Sequence, residues 1–172
     1  MGISINDTLL DTIVNDMIQK TVEINNCACS AIISNPLSDY LKLADTYQKL
    51  KEGFHIRMIR KQQWQCIFLD ELQYDRIMLH ISEDTEVHQF IRCKLGPLVE
   101  YDRAHDTQLL ETLEALIQNH NSRKLAAESL FLHRNTMVHR INKIEEVLHC
   151  SLDDTEIMEQ LEFAIKMKMY AH

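Results

Sequence analysis

The stretch "NSRKLAAESLFLHRNTMVHRINKIEEVLH", residues 121–149, constrains the fold more than any other part of the chain. It holds two short helical patterns separated by a link of about three residues, the spacing of a helix-turn-helix. In the first pattern Leu125, Ala126, Ala127 and Leu130 form a narrow apolar side, and the two alanines let a neighbouring helix approach closely. In the second, a step of about 100° per residue gathers Met137, Ile141, Ile144 and Leu148 on one side. Thr136, His139, Arg140 and Lys143 are expected on the side opposite.

Such a unit turns the start of its second helix outward, where it can enter a DNA major groove about 12 Å wide. The cations point the same way. Arg123 and Lys124 fall in the first turn of one helix, and Arg134 at the start of the next. There they oppose the helix macrodipole by about 0.3–1 kcal/mol each when exposed, a conflict that a phosphate partner removes. The bland alternative is a set of solvated side chains that tolerate this small penalty.

On this reading Arg134, Thr136, His139, Arg140 and Lys143 are candidates for groove or phosphate contact, and His133 opens their helix. Asn135 can read adenine, but capping the helix is the favoured role. Ser122, Arg123 and Lys124 are expected to position the unit on the phosphate backbone. His133 and His139 stand on different helix faces, so no metal site is expected.

The whole chain carries a net charge of −8, which by itself speaks against a polyanionic partner. The distribution matters more, since residues 121–148 contain five cations against three carboxylates. With only three glycines and two prolines in 172 residues, the chain is expected to be mainly α. The expected architecture is a helical N-terminal region, 1–83, followed by a helix-turn-helix bundle, 84–172, the division falling at the polar cluster "SEDT". In the first region helices are expected over 6–24 and over 35–53, the latter opened by Pro36 and Ser38 and closed by Gly53. The run "WQCIFLD" is a candidate short strand. Beyond the division a helix broken near Gly96-Pro97 is expected, then one within 105–120 capped by Asp106 or Thr107, then the pair described above, then a last helix after Asp153-Asp154.

No secretory signal, acylation motif or membrane-spanning run is visible, so a soluble cytoplasmic protein is expected, with no cofactor. The cysteines are scattered, and Cys27 with Cys29 make a C-A-C pair rather than a zinc or redox motif, which suggests reduced thiols. Tyr101, Asp102 and His105 could suggest catalysis. No nucleophile, glycine loop or second carboxylate accompanies them, so a capping acid beside a packed aromatic is expected, and no enzyme.

The stretch "LLETLEALIQNHNSRKLAAESLFLHRNTMVHRINKIEEVLHCSLDD" resembles the C-terminal helix-turn-helix of PucR/CdaR-type bacterial transcriptional regulators, and its local unit is similar to the Fis-type helix-turn-helix. The matching elements are the "LGPLVEYD" lead-in, "LLETL", Ala126-Ala127, "HRNT", Arg140 and Leu152-Asp153. Two departures stand out. Phe131 occupies a turn position where the family usually has a small residue, often glycine, and His139 a position where tyrosine is more usual. If the turn needs positive φ, Phe131 is strained. The stretch "ISNPLSDYLKLADTYQKLKEG" resembles, more weakly, the degenerate cyclase-like linker that precedes this domain in the family. The resemblance implies a regulator that binds double-stranded DNA as a homodimer, its effector unknown and sensed by a region absent from this chain. The competing expectation keeps the fold but makes it a protein-interaction or dimerisation module.

Overall fold

A computed structural model describes residues 5–26, 29–37, 39–60 and 66–171. Its backbone is mainly helical, and it divides into two compact units, Met1–His80 and Ile81–His172.

Unit 1 contains α1 (Ile5–Asn25), β1 (Ala31–Ile33), α2 (Leu43–Arg60), β2 (Cys66–Phe68) and most of α3 (Gln73–Ser82). The strands pair in parallel, with Ala31, Ile32 and Ile33 opposite Cys66, Ile67 and Phe68, and α2 lies in the crossover between them. β2 falls inside "WQCIFLD", where a strand was the sequence option; Trp64 and Gln65 lie outside the described residues. β1 was not foreseen.

The second helix departs from expectation at both ends. Asp39 accepts a hydrogen bond from the Leu41 amide at 2.9 Å and opens a 3-10 turn at Tyr40–Lys42, so α2 starts only at Leu43. Ser38 lies outside the described residues. Gly53 does not close the helix but sits buried inside it. A Cβ there would meet Ile32 Cδ1 at 2.6 Å and Leu72 Cδ1 at 2.9 Å, so this glycine serves close packing against β1 and the turn before α3. Ion pairs Arg60–Asp75 (2.9 Å) and Arg76–Glu52 (2.7 Å) tie α3 to α2.

Unit 2 contains α4 (Thr85–His105), α5 (Leu109–Gln118), α6 (Arg123–Ser129), α7 (Arg134–Leu148) and α8 (Thr155–Tyr170). α4 packs on α5, α7 and α8, and α5 packs on α6 and α7. Leu98, Leu113, Ala126, Ile141, Ile144 and Ala164 are fully excluded from solvent in a single apolar core. The expected break at Gly96-Pro97 is absent, because α4 runs straight through Pro97. Proline leaves the carbonyl four residues back without its helical partner, and that residue, Cys93, is exposed to water. Leu95 and Leu98, on either side, are buried and hold the helix on the core.

Four of these helices end without glycine. Asp106, His120, Phe131 and His149 all take left-handed φ of 52–55°. The residue after each returns its amide to a carbonyl five back: Thr107 to Asp102, Asn121 to Leu116, Leu132 to Ala127 and Cys150 to Glu145. This is the Schellman closure, which satisfies carbonyls that a helix end otherwise leaves open.

Candidate nucleic-acid interface

α6 and α7 meet at the corner made by Leu130 and Phe131. Ser122 caps α6, accepting from the Leu125 amide at 3.4 Å. Ala126 and Ala127 are buried, as the close approach of α7 requires. Leu132 turns partly inward and Phe131 points to solvent, 96% exposed at φ 55°.

The cap of α7 is His133, not Asn135. A capping residue must keep extended backbone while its side chain reaches the amide two or three residues on. His133 does so at φ −68°, ψ 145°, its Nδ1 accepting from the Asn135 amide at 3.3 Å. Asn135 is already the second helical residue, and its side chain faces solvent. Along α7, Met137, Ile141 and Ile144 are no more than 1% exposed, whereas His133, Arg134, Asn135, Thr136, Val138, His139 and Asn142 are all exposed. The first two turns of α7 are therefore held from behind and open in front.

Two expected members of that face lie elsewhere. Arg140 is half-buried and donates to Thr112 Oγ1 at 3.1 Å and to Gln108 Oε1 at 3.2 Å. Relative to the buried side of α7 it lies on the flank, toward the start of α5, and not opposite the apolar face. Lys143, also half-buried, pairs with Glu146 at 2.8 Å and lies 5.3 Å from the Tyr101 ring on α4. The hydrogen bond to Glu146 holds its ammonium above the usual lysine range. Asn142, by contrast, was missed by the sequence reading and lies on the open face. Stepping from the buried residues alone, and ignoring charge, would have found it.

Asp102 anchors the start of α5, where neither Asp106 nor Thr107 is the cap. Its carboxylate accepts from Thr107 Oγ1 at 2.6 Å and from the amides of Leu109 at 2.8 Å and Leu110 at 2.9 Å. Burial pushes this carboxyl up, but the bonds from Leu110, Thr107 and Leu109 and the Arg140 guanidinium outweigh burial and hold it below the usual carboxylate range. Tyr101 stacks on His105 with ring centroids 4.0 Å apart. The Tyr101–Asp102–His105 group is thus occupied in closing one helix and starting the next.

The cations of α6 are partly engaged. Arg123 pairs with Asp153 at 2.7 Å, and Lys124 lies 4.0 Å from Glu128. Both members of each pair are substantially exposed, where an ion pair contributes about 0–1 kcal/mol and is readily exchanged. Arg134 makes no ion pair among the described residues. A concavity of about 580 Å³ lies beside α6 and the start of α7. Ala127, Leu132, Met137 and Val138 give it apolar walls, and Arg123, Lys124 and Arg134 outnumber the single carboxylate, Glu128, that also lines it. No helix among the described residues is long and apolar enough to cross a membrane.

Comparison with known proteins agrees with this geometry. Residues 109–167 match the family model described as the PucR C-terminal helix-turn-helix domain. The proline-responsive transcriptional activator PutR of Bacillus subtilis (strain 168) is 31% identical over 130 residues, covering 75% of this chain and 32% of that protein. That span exceeds unit 2, so the likeness reaches into unit 1. The purine catabolism regulatory protein of the same organism is 32% identical over 91 residues, 53% of this chain and 17% of that protein. The carbohydrate diacid regulator of Escherichia coli (strain K12) is 24% identical over 135 residues, 78% of this chain and 34% of that protein. The chain thus spans about a third or less of the length of these relatives, which are named as regulators and not as enzymes. No solved structure matches the chain. With the corner at Phe131, the buried alanines of α6 and the open first turns of α7, residues 109–167 of this chain are similar to the PucR C-terminal helix-turn-helix domain.

Proposed function

We propose that the chain regulates transcription by binding double-stranded DNA, with the first two turns of α7 in the major groove. The observation that carries this reading is the solvent exposure of His133, Arg134, Asn135, Thr136, Val138 and His139 on a helix whose other side is locked into the core. Groove contact falls to Asn135, Thr136, His139 and Asn142, whose side chains can hydrogen-bond base edges, with Val138 offering an apolar contact. Arg134 and Lys124 meet phosphates, joined by Arg123 once it exchanges Asp153 for the backbone, and by Ser122 at the start of α6. Arg140 and Lys143 brace α7 against α5 and α4, setting the angle at which it enters the groove. Binding as a dimer on half-sites about 34–36 Å apart completes the reading. Its output resides in 84–172, with unit 1 standing where the family has the segment that precedes this domain.

The test is an anisotropy titration of the full chain on labelled duplex across a salt series. Two or three phosphate contacts give a slope of about −2 to −3 in log K against log salt, and Arg134→Ala makes it shallower by about 1. Binding that is absent, or indifferent to salt, refutes the proposal. A chain that assembles through this surface without touching DNA is the protein-interaction alternative.

A further inference from the structure

We propose that Phe131 is a DNA-contacting side chain, its ring resting on the thymine methyl and deoxyribose wall of the groove beside the phosphates that meet Lys124 and Arg134. The inference rests on the DNA-binding reading and adds to it an apolar contact from outside α7.

Two unrelated observations single this residue out. Among the described residues, the non-glycine positions with positive φ are Asn26, Asp106, His120, Asn121, Phe131 and His149. All but Phe131 are Asn, Asp or His, the types that enter this region most readily; a bulky apolar residue there is an outlier. Phe131 is also the most exposed large apolar side chain among them, at 96%, ahead of Tyr40 and Ile24.

Neither property serves the fold. The bonds that close α6 run from the Phe131 amide to Glu128 and from the Leu132 amide to Ala127, all backbone, and glycine would make them without strain. The apolar contact with the core at this corner belongs to Leu130, and Leu132 forms part of the wall of the concavity. At 96% exposure the ring packs on almost nothing among the described residues.

Its neighbourhood identifies the partner. Leu132 and His133, next along the chain, border the concavity lined by Arg123, Lys124 and Arg134. An exposed aromatic beside a cationic surface fits a partner that is anionic and apolar at once. Duplex DNA presents both within a few ångströms, phosphates flanking sugars and thymine methyls.

The test uses the full chain as wild type, Phe131→Gly and Phe131→Ala, on duplexes selected by the wild type from a random-sequence pool. Thermal melting, sedimentation without DNA, and affinity by anisotropy are read together. Phe131→Gly is expected to melt above the wild type yet bind about tenfold more weakly, the scale of one buried aromatic side chain. Phe131→Ala keeps the strained backbone, so it melts no higher and binds as weakly as the glycine variant. Replacing thymine by uracil in the selected duplex weakens the wild type more than it weakens Phe131→Ala. Wild-type affinity in both variants overturns the inference. So does loss of self-association without DNA at unchanged affinity, which assigns the ring to a contact between copies. A wild type that selects no duplex refutes the parent reading before any variant is made, so the two failures are distinguishable.

Discussion

Replacing Asp102 by alanine should loosen unit 2 without touching its open face. The carboxylate gathers Thr107 Oγ1 and the amides of Leu109 and Leu110, each within 2.9 Å, at a helix start whose own cap residue, Gln108, contributes no side-chain bond. Loss of a helix cap costs about 0.5–2 kcal/mol, and the further bonds add about 1 kcal/mol in sum. A total of about 1.5–3 kcal/mol lowers the melting temperature by about 3–12 °C in a chain of this size. Asp102→Asn keeps one acceptor oxygen and should lose about half of that. The pH dependence is distinctive. The folded carboxyl is held below its usual range, so its contribution is present in full above about pH 4 and is lost as pH falls through the folded pKa. Melting by circular dichroism should therefore show a wild-type advantage that is level from about pH 5 to 8 and narrows below about pH 4. A difference under about 0.5 kcal/mol, or one that widens toward acid, would refute this account of how α5 is started.

Other consequences follow from single contacts. Arg140→Ala should destabilise by about 1–2 kcal/mol, through loss of its bonds to Thr112 and Gln108, while the salt slope of DNA binding stays at the wild-type value; Arg134→Ala should do the reverse. Gly53→Ala drives a methyl into the tips of Ile32 and Leu72 at a cost of about 1–3 kcal/mol, of which alanine's better helix propensity offsets about 1 kcal/mol, so a denaturant titration should show no gain in stability. The Cys66 thiol is pushed up to about 11, chiefly by burial and then by the hydrogen bond and charge of Asp11. In a timed alkylation near pH 8, where thiolate does the reacting, exposed Cys93 should label well before Cys66. Equal rates would contradict that burial.

Why the helix-turn-helix was legible and its flank was not comes down to what each depends on. Met137, Ile141 and Ile144 repeat at helical spacing, and nothing but a core accepts three such side chains on one stripe. The alanines of α6 and the short link then leave little freedom in how the pair meets. Caps and flank contacts are different, because they are settled by residues far along the chain. Asp102 takes the start of α5 because α4 ends in a left-handed Asp106 that folds the chain back on itself. Thr107, one of the two expected caps, thereby becomes a donor to Asp102. His133 caps α7 because Phe131 and Leu132 close α6 first, leaving His133 as the last extended residue. In unit 1, β1 has only Ala31, Ile32 and Ile33 to announce it, and Gly53 reads as a helix end until Ile32 is seen against it.

Arg140 shows most sharply how charge misleads. A cation on an amphipathic helix is assigned to water or to a partner by default, and on charge alone Arg140 joins Arg134. The angle decides otherwise: the stripe centred on Met137, Ile141 and Ile144 leaves Asn135, His139 and Asn142 diametrically opposite and Arg140 at the edge. At that edge a guanidinium can reach across to α5, where the Thr112 hydroxyl and the Gln108 amide oxygen accept its protons. The Thr112 hydroxyl is itself buried and already donates to the Gln108 carbonyl at 2.7 Å, so it has only acceptor capacity left for Arg140. The same arginine lowers the Asp102 carboxyl, so one side chain couples the start of α5 to the middle of α7. An arginine placed this way ties α7 to α5, whatever its charge offers a partner. Its removal is expected to loosen the seating on α5 of the helix that carries Asn135 and His139.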